Sequence, residues 1–190
     1  MSSPSPRASR TDAVANRARI LAVAGEAFAA SSGASMTAIA KRAGVGVGTL
    51  YRHFPTREAL IMELYHQEIQ KVIDLAYEFA ADLPPLEALR RWLEEVARYG
   101  KLKYGLSDVI HAATDGGHDD PNYGPFLSAI DALLDAGAAT QELKADLDPQ
   151  DVLLQLGALW RIPPGDGAAA RTARLLDLII DGLRTRPSHT

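Results

Sequence analysis

The sequence contains no cysteine, and this absence excludes several kinds of site. Without thiols, the 190-residue chain has no disulfide framework, no thiolate nucleophile and no zinc-finger ligand pattern. No stretch reaches the roughly 18 apolar residues that a membrane-spanning helix needs, and the first ten residues lack the apolar core of a secretory signal. We therefore expect a cytoplasmic protein that has no membrane segment and uses no metal or other cofactor.

Acidic side chains are scarce in the first part of the chain. Residues 1–57 carry eight Lys or Arg against two Asp or Glu, a net charge of +6, whereas the remaining 133 residues carry 12 against 22, a net charge of -10. The overall charge of -4 hides this division. An N-terminal unit that binds a polyanion, joined to an acidic unit, would have this pattern. A solvated basic face is the alternative, and charge alone does not decide between them.

Runs of alternating β-branched residues are also missing, whereas apolar residues recur every three or four positions along nearly the whole chain. This periodicity predicts an all-α fold of about nine helices. Turn-forming residues separate them, and the predicted helices span residues 11–30, 36–43, 47–53, 57–81, 86–103, 106–113, 126–137, 149–161 and 168–185.

Local signals mark the ends of the first four helices. Gly33 follows two serines and can adopt a left-handed conformation, which would end the first helix. Ser35 is placed to cap the second helix, and Thr56 is placed to cap the fourth. The sequence Gly44-Val45-Gly46 breaks the chain between the second and third helices. Two short helices joined by a tight glycine turn predict a helix-turn-helix, whose second helix enters the major groove of DNA.

The two short helices carry small and apolar residues where they must pack. Ala40, Ala43 and Gly44 allow a close crossing, while Leu50 and Phe54 can anchor the second helix to the core. That packing would expose a face bearing Val47, Gly48, Thr49, Arg52 and His53.

The stretch from Ile20 to Leu60 resembles the DNA-binding signature of the TetR (tetracycline repressor) family. The resemblance lies in Ile20-Leu21 followed by Phe28, in the IAKRAGV segment, and above all in GTLYRHFPTREAL. It implies a three-helix DNA-binding domain at residues 11–55 and a helical ligand-binding and dimerisation domain at 56–190. The first ten residues, which contain Pro, Ser and Arg, are expected to form a disordered leader. The implied function is a dimeric transcriptional repressor, associated with the nucleoid, that a small-molecule inducer releases from a palindromic operator.

The resemblance assigns four residues to the base edges of double-stranded operator DNA. Thr37 would reach a base from the first short helix, and Val47, Gly48 and Thr49 would face the floor of the groove. Val47 would meet a thymine methyl group. Since Val47 and Gly48 depart from a polar surface, readout of DNA shape would contribute more than usual.

Four further residues are assigned to phosphates by the same resemblance. Ser35 would offer its hydroxyl and backbone N–H, helped by the positive end of its helix. Tyr51 and His53 would hydrogen-bond to the strands, and Arg57 would do so where many family members have lysine. Tyr51 and His53 have an alternative reading as simple packed aromatic residues.

The predicted helices at 149–161 and 168–185 carry more leucine than one buried face requires, so we expect a homodimer through them. A monomeric core is the alternative. Aromatic and histidine side chains could supply the apolar walls and polar groups of a pocket for the unidentified inducer. For most of them, a place in the ordinary core is the alternative. These candidates are Trp92, Tyr99, Tyr104, His111, Tyr123, Phe126 and Trp160.

Two other functional classes remain open at this point. An enzyme could use a divalent metal held by residues of a Gly-rich turn, namely His111, Asp115, His118, Asp119 and Asp120. A solvated loop is the simpler interpretation, and the sequence lacks the GxSxG, HExxH, Walker and Rossmann patterns. We therefore expect no enzyme activity. An architectural DNA-binding protein without a ligand is the third possibility.

Overall fold

The computed structural model describes the backbone of residues 6–113, 120–163 and 165–185, with the side chains of all of these except 6–11, 101–105, 111 and 113. Within these ranges the chain is helical, as predicted, and the one β element is an isolated bridge between Leu143 and Arg184. A short 3-10 helix, Leu159–Arg161, follows the seventh α-helix. The α-helices are α1 Pro6–Ala30, α2 Met36–Arg42, α3 Val47–His53, α4 Arg57–Asp82, α5 Pro85–Ala113, α6 Tyr123–Ala139, α7 Pro149–Leu156 and α8 Ala168–Leu183.

The chain divides into two compact units, which we call the head and the body. The head contains the described residues of Met1–Tyr65 together with Gly105–Ala113, and the body contains those of His66–Tyr104 and Thr114–Thr190. The division within α4 therefore follows Tyr65, later in the chain than the boundary expected after Pro55. Both α4 and α5 contribute residues to each unit.

In the head, α1 packs on α2 and α2 packs on α3. The buried side of α1 repeats every three or four residues, which is the helical period. Its buried members are Ile20, Leu21, Ala24, Ala27 and Phe28.

The first helix begins earlier than the sequence suggested. Residues 6–10 are helical, whereas we expected them to belong to a disordered leader; residues 1–5 lie outside the described residues. Pro6 occupies the first helical position, where a missing N–H leaves no hydrogen bond unmade. Gly33 does not adopt a positive φ. Instead, α1 ends in a turn in which Ala34 N–H donates to Ser31 O at 3.0 Å.

Three further differences from the prediction exceed two residues. One continuous helix, α5, replaces the two expected at 86–103 and 106–113, because a glycine inside a helix costs only about 1 kcal/mol relative to alanine and does not end it. Helix α6 starts at Tyr123, with Pro125 in its first turn, where backbone N–H groups have no intrahelical partner. The helix expected at 149–161 ends at Leu156, before the 3-10 helix.

The core of the body joins α4, α5 and α6. Trp92 of α5 is fully buried, and its indole Nε1 donates to the carbonyl of Val72 in α4 at 2.8 Å. The ring of Phe126 in α6 lies 5.5 Å from the Trp92 ring, centre to centre. These contacts fill the space between three helices with aromatic side chains.

Candidate nucleic-acid interface

Ser35 caps α2, as predicted. Its backbone is extended, and its Oγ accepts a hydrogen bond from the N–H of Ala38 at 3.2 Å. Ile39 and Ala40 hold the inner side of α2 in the core, while Ser35 and Thr37 are exposed. A hydroxyl keeps its own hydrogen after accepting a bond. The start of α2 thus presents the Ser35 hydroxyl group to solvent.

The turn between α2 and α3 depends on Gly44. Its φ of 65° is left-handed, a conformation that glycine adopts at little cost. Two hydrogen bonds close the turn: Val45 N–H donates to Ala40 O at 3.1 Å, and Gly44 N–H donates to Lys41 O at 3.2 Å. This pair of bonds is a Schellman motif, which satisfies the last carbonyls of α2 and directs the chain into α3.

Helix α3 is anchored on one side and open on the other. Leu50 is fully buried and Phe54, its C-terminal cap, is 1% exposed. On the open side Val47 is 39% exposed and Tyr51 is 45% exposed. The remaining predicted contact residues of this helix lie on or beside the open face, namely Gly48, which has no heavy atom within 4 Å of a Cβ built on it, and the half-buried Thr49 and His53.

Two arginines of α1 bind the carbonyl groups that end the two short helices. Arg19 Nε donates to Ala43 O, the cap of α2, at 2.8 Å. Arg17 Nη1 donates to His53 O, the last residue of α3, at 3.4 Å. Positive charge is favourable there, since the carbonyl end of a helix carries partial negative charge. Through these contacts, α1 is tied to the C-terminal ends of both helices.

Arg17 also contacts α4 and the cap of α3. Its Nη2 lies 2.7 Å from Glu63 Oε1, and its guanidinium carbon lies 4.6 Å from the centre of the Phe54 ring. Arg17 and Arg19 were not among the residues predicted from the sequence to contribute to this site. The available signal was their position on α1 away from its apolar side, which does not say what they bind.

Arg57 is half-buried at the start of α4, which Thr56 caps, as predicted, by accepting from Ala59 N–H at 3.0 Å. Its guanidinium carbon lies 5.1 Å from the centre of the Phe28 ring, and its Nη2 donates to Ser32 O. Arg57 therefore connects the start of α4 to the end of α1. Because arginine has five N–H donors, this arrangement leaves donors for a phosphate.

Five of the seven predicted pocket residues have described side chains, and four of these form two ring contacts. Trp92 and Phe126 are buried against each other, and Tyr123 is 45% exposed. Tyr99 is buried and meets the half-buried Trp160 edge-on, with ring centres 6.3 Å apart. The side chains of Tyr104 and His111 lie outside the described residues.

An open groove of about 210 Å³ runs between α5 and α8 in the body. Its lining combines charged side chains with small or apolar ones. None of the predicted pocket residues with described side chains lines it; the lining residues are Arg90, Glu94, Ala97, Arg98, Ala169, Thr172, Ala173 and Leu176.

The possible metal site falls largely outside the described residues, since Asp115, His118 and Asp119 and the side chain of His111 are not among them. Asp120 is described, and its Oδ1 accepts from the backbone N–H of Asn122 at 2.9 Å and from Asn122 Nδ2 at 2.8 Å. Among the described residues, no group of three or more His, Cys, Asp or Glu is arranged to hold a metal ion. In the same part of the chain, no helix is long and apolar enough to cross a bilayer.

Two family models together match most of the chain. The model described as "Bacterial regulatory proteins, tetR family" matches residues 20–64, which contain α2, α3 and the turn between them. The model described as "Transcriptional regulator SbtR-like, C-terminal domain" matches residues 84–185. Comparison with curated protein sequences gives no match.

Solved structures resemble the chain over nearly its whole length. A TetR transcriptional regulator from Streptomyces coelicolor is 38% identical, with a TM-score of 0.76 over 90% of this chain and 99% of its own. The TetR transcription regulatory protein from Mycobacterium vanbaalenii is 34% identical, with a TM-score of 0.73 over 93% and 99%. A TetR family regulator from Thermus thermophilus, 23% identical, has the same fold, with a TM-score of 0.61 over 88% and 100%.

Proposed function

Since this chain belongs to the TetR family of DNA-binding transcriptional regulators, we propose that it is a repressor that binds a palindromic operator as a homodimer and is released by a small-molecule inducer. The observation that supports DNA binding is that α3 has one buried side and one exposed side. Leu50 and Phe54 hold the helix from below, while Val47, Gly48 and Tyr51 face solvent. An anchored helix with an open face is what insertion into a major groove requires.

Thr37, Val47, Gly48 and Thr49 are the proposed contacts to base edges. Three of them lie on the first turn of α3, and a recognition helix reads bases mainly with its N-terminal residues. Val47 offers an apolar surface for a thymine methyl group, and the Thr49 hydroxyl can donate to or accept from a base.

Ser35, Tyr51, His53 and Arg57 are the proposed contacts to phosphates. Ser35 combines an exposed hydroxyl with the positive end of α2, an arrangement that favours an anion. Tyr51 carries an exposed phenol at the middle of α3. His53 and Arg57 lie at the end of α3 and the start of α4, where they can contact a strand that borders the groove.

The dimer is proposed to form through α7 and α8. Leu154 of α7 is 77% exposed and Leu178 of α8 is 68% exposed, and burying a leucine side chain gains about 1.5–3 kcal/mol. Gly182 lies one turn after Leu178, and no heavy atom of the described residues lies within 4 Å of a Cβ built on it, so a second copy can approach closely. Two-fold symmetry of the protein would match a palindromic operator.

Release is proposed to follow from a shift between two conformations. An inducer that binds more tightly to the conformation with unfavourably spaced heads lowers operator affinity by its differential affinity. Helix α4 is suited to couple the two events, because it begins at Arg57 beside α3 and continues into residues that belong to the body. A repressor of this kind requires no catalysis. It acts in the cytoplasm, where the chromosome is.

The proposal is tested by selecting duplexes from a random pool with the full-length protein and then titrating salt on the selected sequence. We expect a palindrome, and affinity that falls steeply with salt because phosphate contacts release counterions. Tyr51→Phe and Arg57→Ala should weaken all sequences about equally, whereas Thr49→Ala should change the sequence preference. If no duplex is preferred over random competitor, or if the three variants share one preference profile, the proposal fails.

A further inference from the structure

Arg52 is the one Lys or Arg among the seven residues of α3, and its side chain is exposed. It lies three residues after Thr49 and four after Gly48, so all three share one face of the helix. Its backbone belongs to the last turn of α3, away from the N-terminal end that enters a groove most deeply. Position along the helix alone would therefore assign it to the edge of an interface.

The side chain returns toward the start of the helix. Arg52 Nη2 donates to Thr49 Oγ1 at 3.0 Å, and Arg52 Nε lies 3.3 Å from the carbonyl oxygen of Gly48, to which it donates. These bonds hold the guanidinium beside the first turn, among the proposed base contacts. Gly48 has no side chain to cover it, and the space around it is open.

The guanidinium of Arg52 keeps N–H donors that the bonds within α3 do not use. Arginine carries five N–H groups in a planar fork, and the two bonds within α3 use two of them. In the major groove guanine presents two adjacent acceptors, O6 and N7, which match two parallel N–H donors. Adenine presents an acceptor beside a donor, so it cannot accept hydrogen bonds from two parallel N–H groups. A guanidinium whose position is already fixed also loses less conformational freedom on binding.

On the basis of the proposed function, we infer that Arg52 determines sequence specificity by reading one guanine in each half-site, with Thr49 as the residue that positions its guanidinium. Gly48 has a passive part, since its missing side chain leaves the approach to the base open. An arginine that contacts only phosphate would strengthen binding to every sequence and would read none of them.

The test uses the full-length protein and the duplex that it selects from a random pool. Each base pair of one half-site is changed in turn, and the affinity for each duplex is measured for the wild type and for Arg52→Ala. The wild type should lose about 10-fold or more in affinity when one particular G·C pair is replaced. The affinity of Arg52→Ala should not change with that replacement. At the other base pairs, the variant should keep the wild-type preferences.

Two conservative variants distinguish recognition of the guanine base from electrostatic attraction to the DNA. Arg52→Lys keeps the charge but lacks the planar fork, so it should retain the salt dependence of binding and weaken the guanine preference. Thr49→Val keeps the shape and removes the hydroxyl, so it should weaken the same preference. Far-UV circular dichroism checks that each variant is folded, which we expect because the side chain of Arg52 is exposed.

The outcomes distinguish this inference from the proposed function. If the wild type selects an operator but Arg52→Ala weakens all duplexes equally and Arg52→Lys restores them, then Arg52 contacts phosphate only and the inference is wrong while the function stands. If the wild type selects no sequence, both fail. A guanine preference that disappears in Arg52→Ala and weakens in Arg52→Lys supports both.

Discussion

The indole ring of Trp160 occupies the space that a Cβ atom on Gly100 would need. Gly100 belongs to α5, and Trp160 belongs to the 3-10 helix after α7, so the glycine allows two distant parts of the chain to meet in the body. Tyr99 closes the contact with its ring edge-on to the indole. A bulkier residue at position 100 would have to displace a tryptophan.

Gly100→Ala should therefore lower the free energy of unfolding by about 1–3 kcal/mol, the usual cost of overpacking a core, although alanine favours a helix. Gly48→Ala is the matched control, because the same change is made in a helix where the space is open, and its stability should be unchanged or higher. Denaturant unfolding of both variants measures the difference. A Gly100→Ala protein as stable as the control would show that Trp160 adjusts without cost.

Arg19→Ala should lower stability by about 1 kcal/mol, since the carbonyl of Ala43 loses a charged donor at the end of α2. It should also weaken binding to every duplex to a similar extent, because α2 and α3 would be less firmly positioned. Arg42→Ala is the control for stability. Its exposed ion pair with Glu26 should contribute less than 1 kcal/mol. Equal losses in unfolding experiments on both variants would contradict a specific role for Arg19.

Ser35→Asp should keep the stability of the protein and lose affinity for DNA. An aspartate caps a helix as well as a serine does, but its charge repels the phosphate that we place there. Ser35→Ala should instead lose about 1 kcal/mol of stability, because the bond to Ala38 disappears. Ser128→Asp, on an exposed position of α6, controls for net charge. If Ser35→Asp and Ser128→Asp bind the selected duplex equally well in a titration, Ser35 lies away from the phosphates.

Leu178→Arg combined with Leu154→Arg should convert the proposed dimer into a monomer, since four arginines would have to be buried where two copies meet. Sedimentation equilibrium of the wild type and the double variant measures the mass directly. Val14→Arg, a similar change at an exposed position of α1, is the control and should leave the mass unchanged. A dimeric double variant, or a monomeric wild type, would exclude an interface through α7 and α8.

The sequence predicted those features of the head that depend on neighbouring residues. The bounds of α3 and the caps provided by Ser35 and Thr56 are correct, because a cap forms between residues three positions apart. The backbone conformations of Gly33 and Gly44 could not be predicted in the same way. Both glycines could adopt a left-handed conformation, yet only Gly44 does so, since the chain has to turn there for α3 to pack on α2.

The sequence by itself determined that the chain is helical and where a helix-turn-helix lies, because hydrophobic periodicity and turn chemistry act over a few residues. Only the tertiary structure decided that Arg17 and Arg19 bind the ends of α3 and α2, and that Trp160 packs against Gly100. A long side chain has several rotamers of similar energy. Which one is occupied depends on the groups that folding brings within its reach, and no local pattern specifies these.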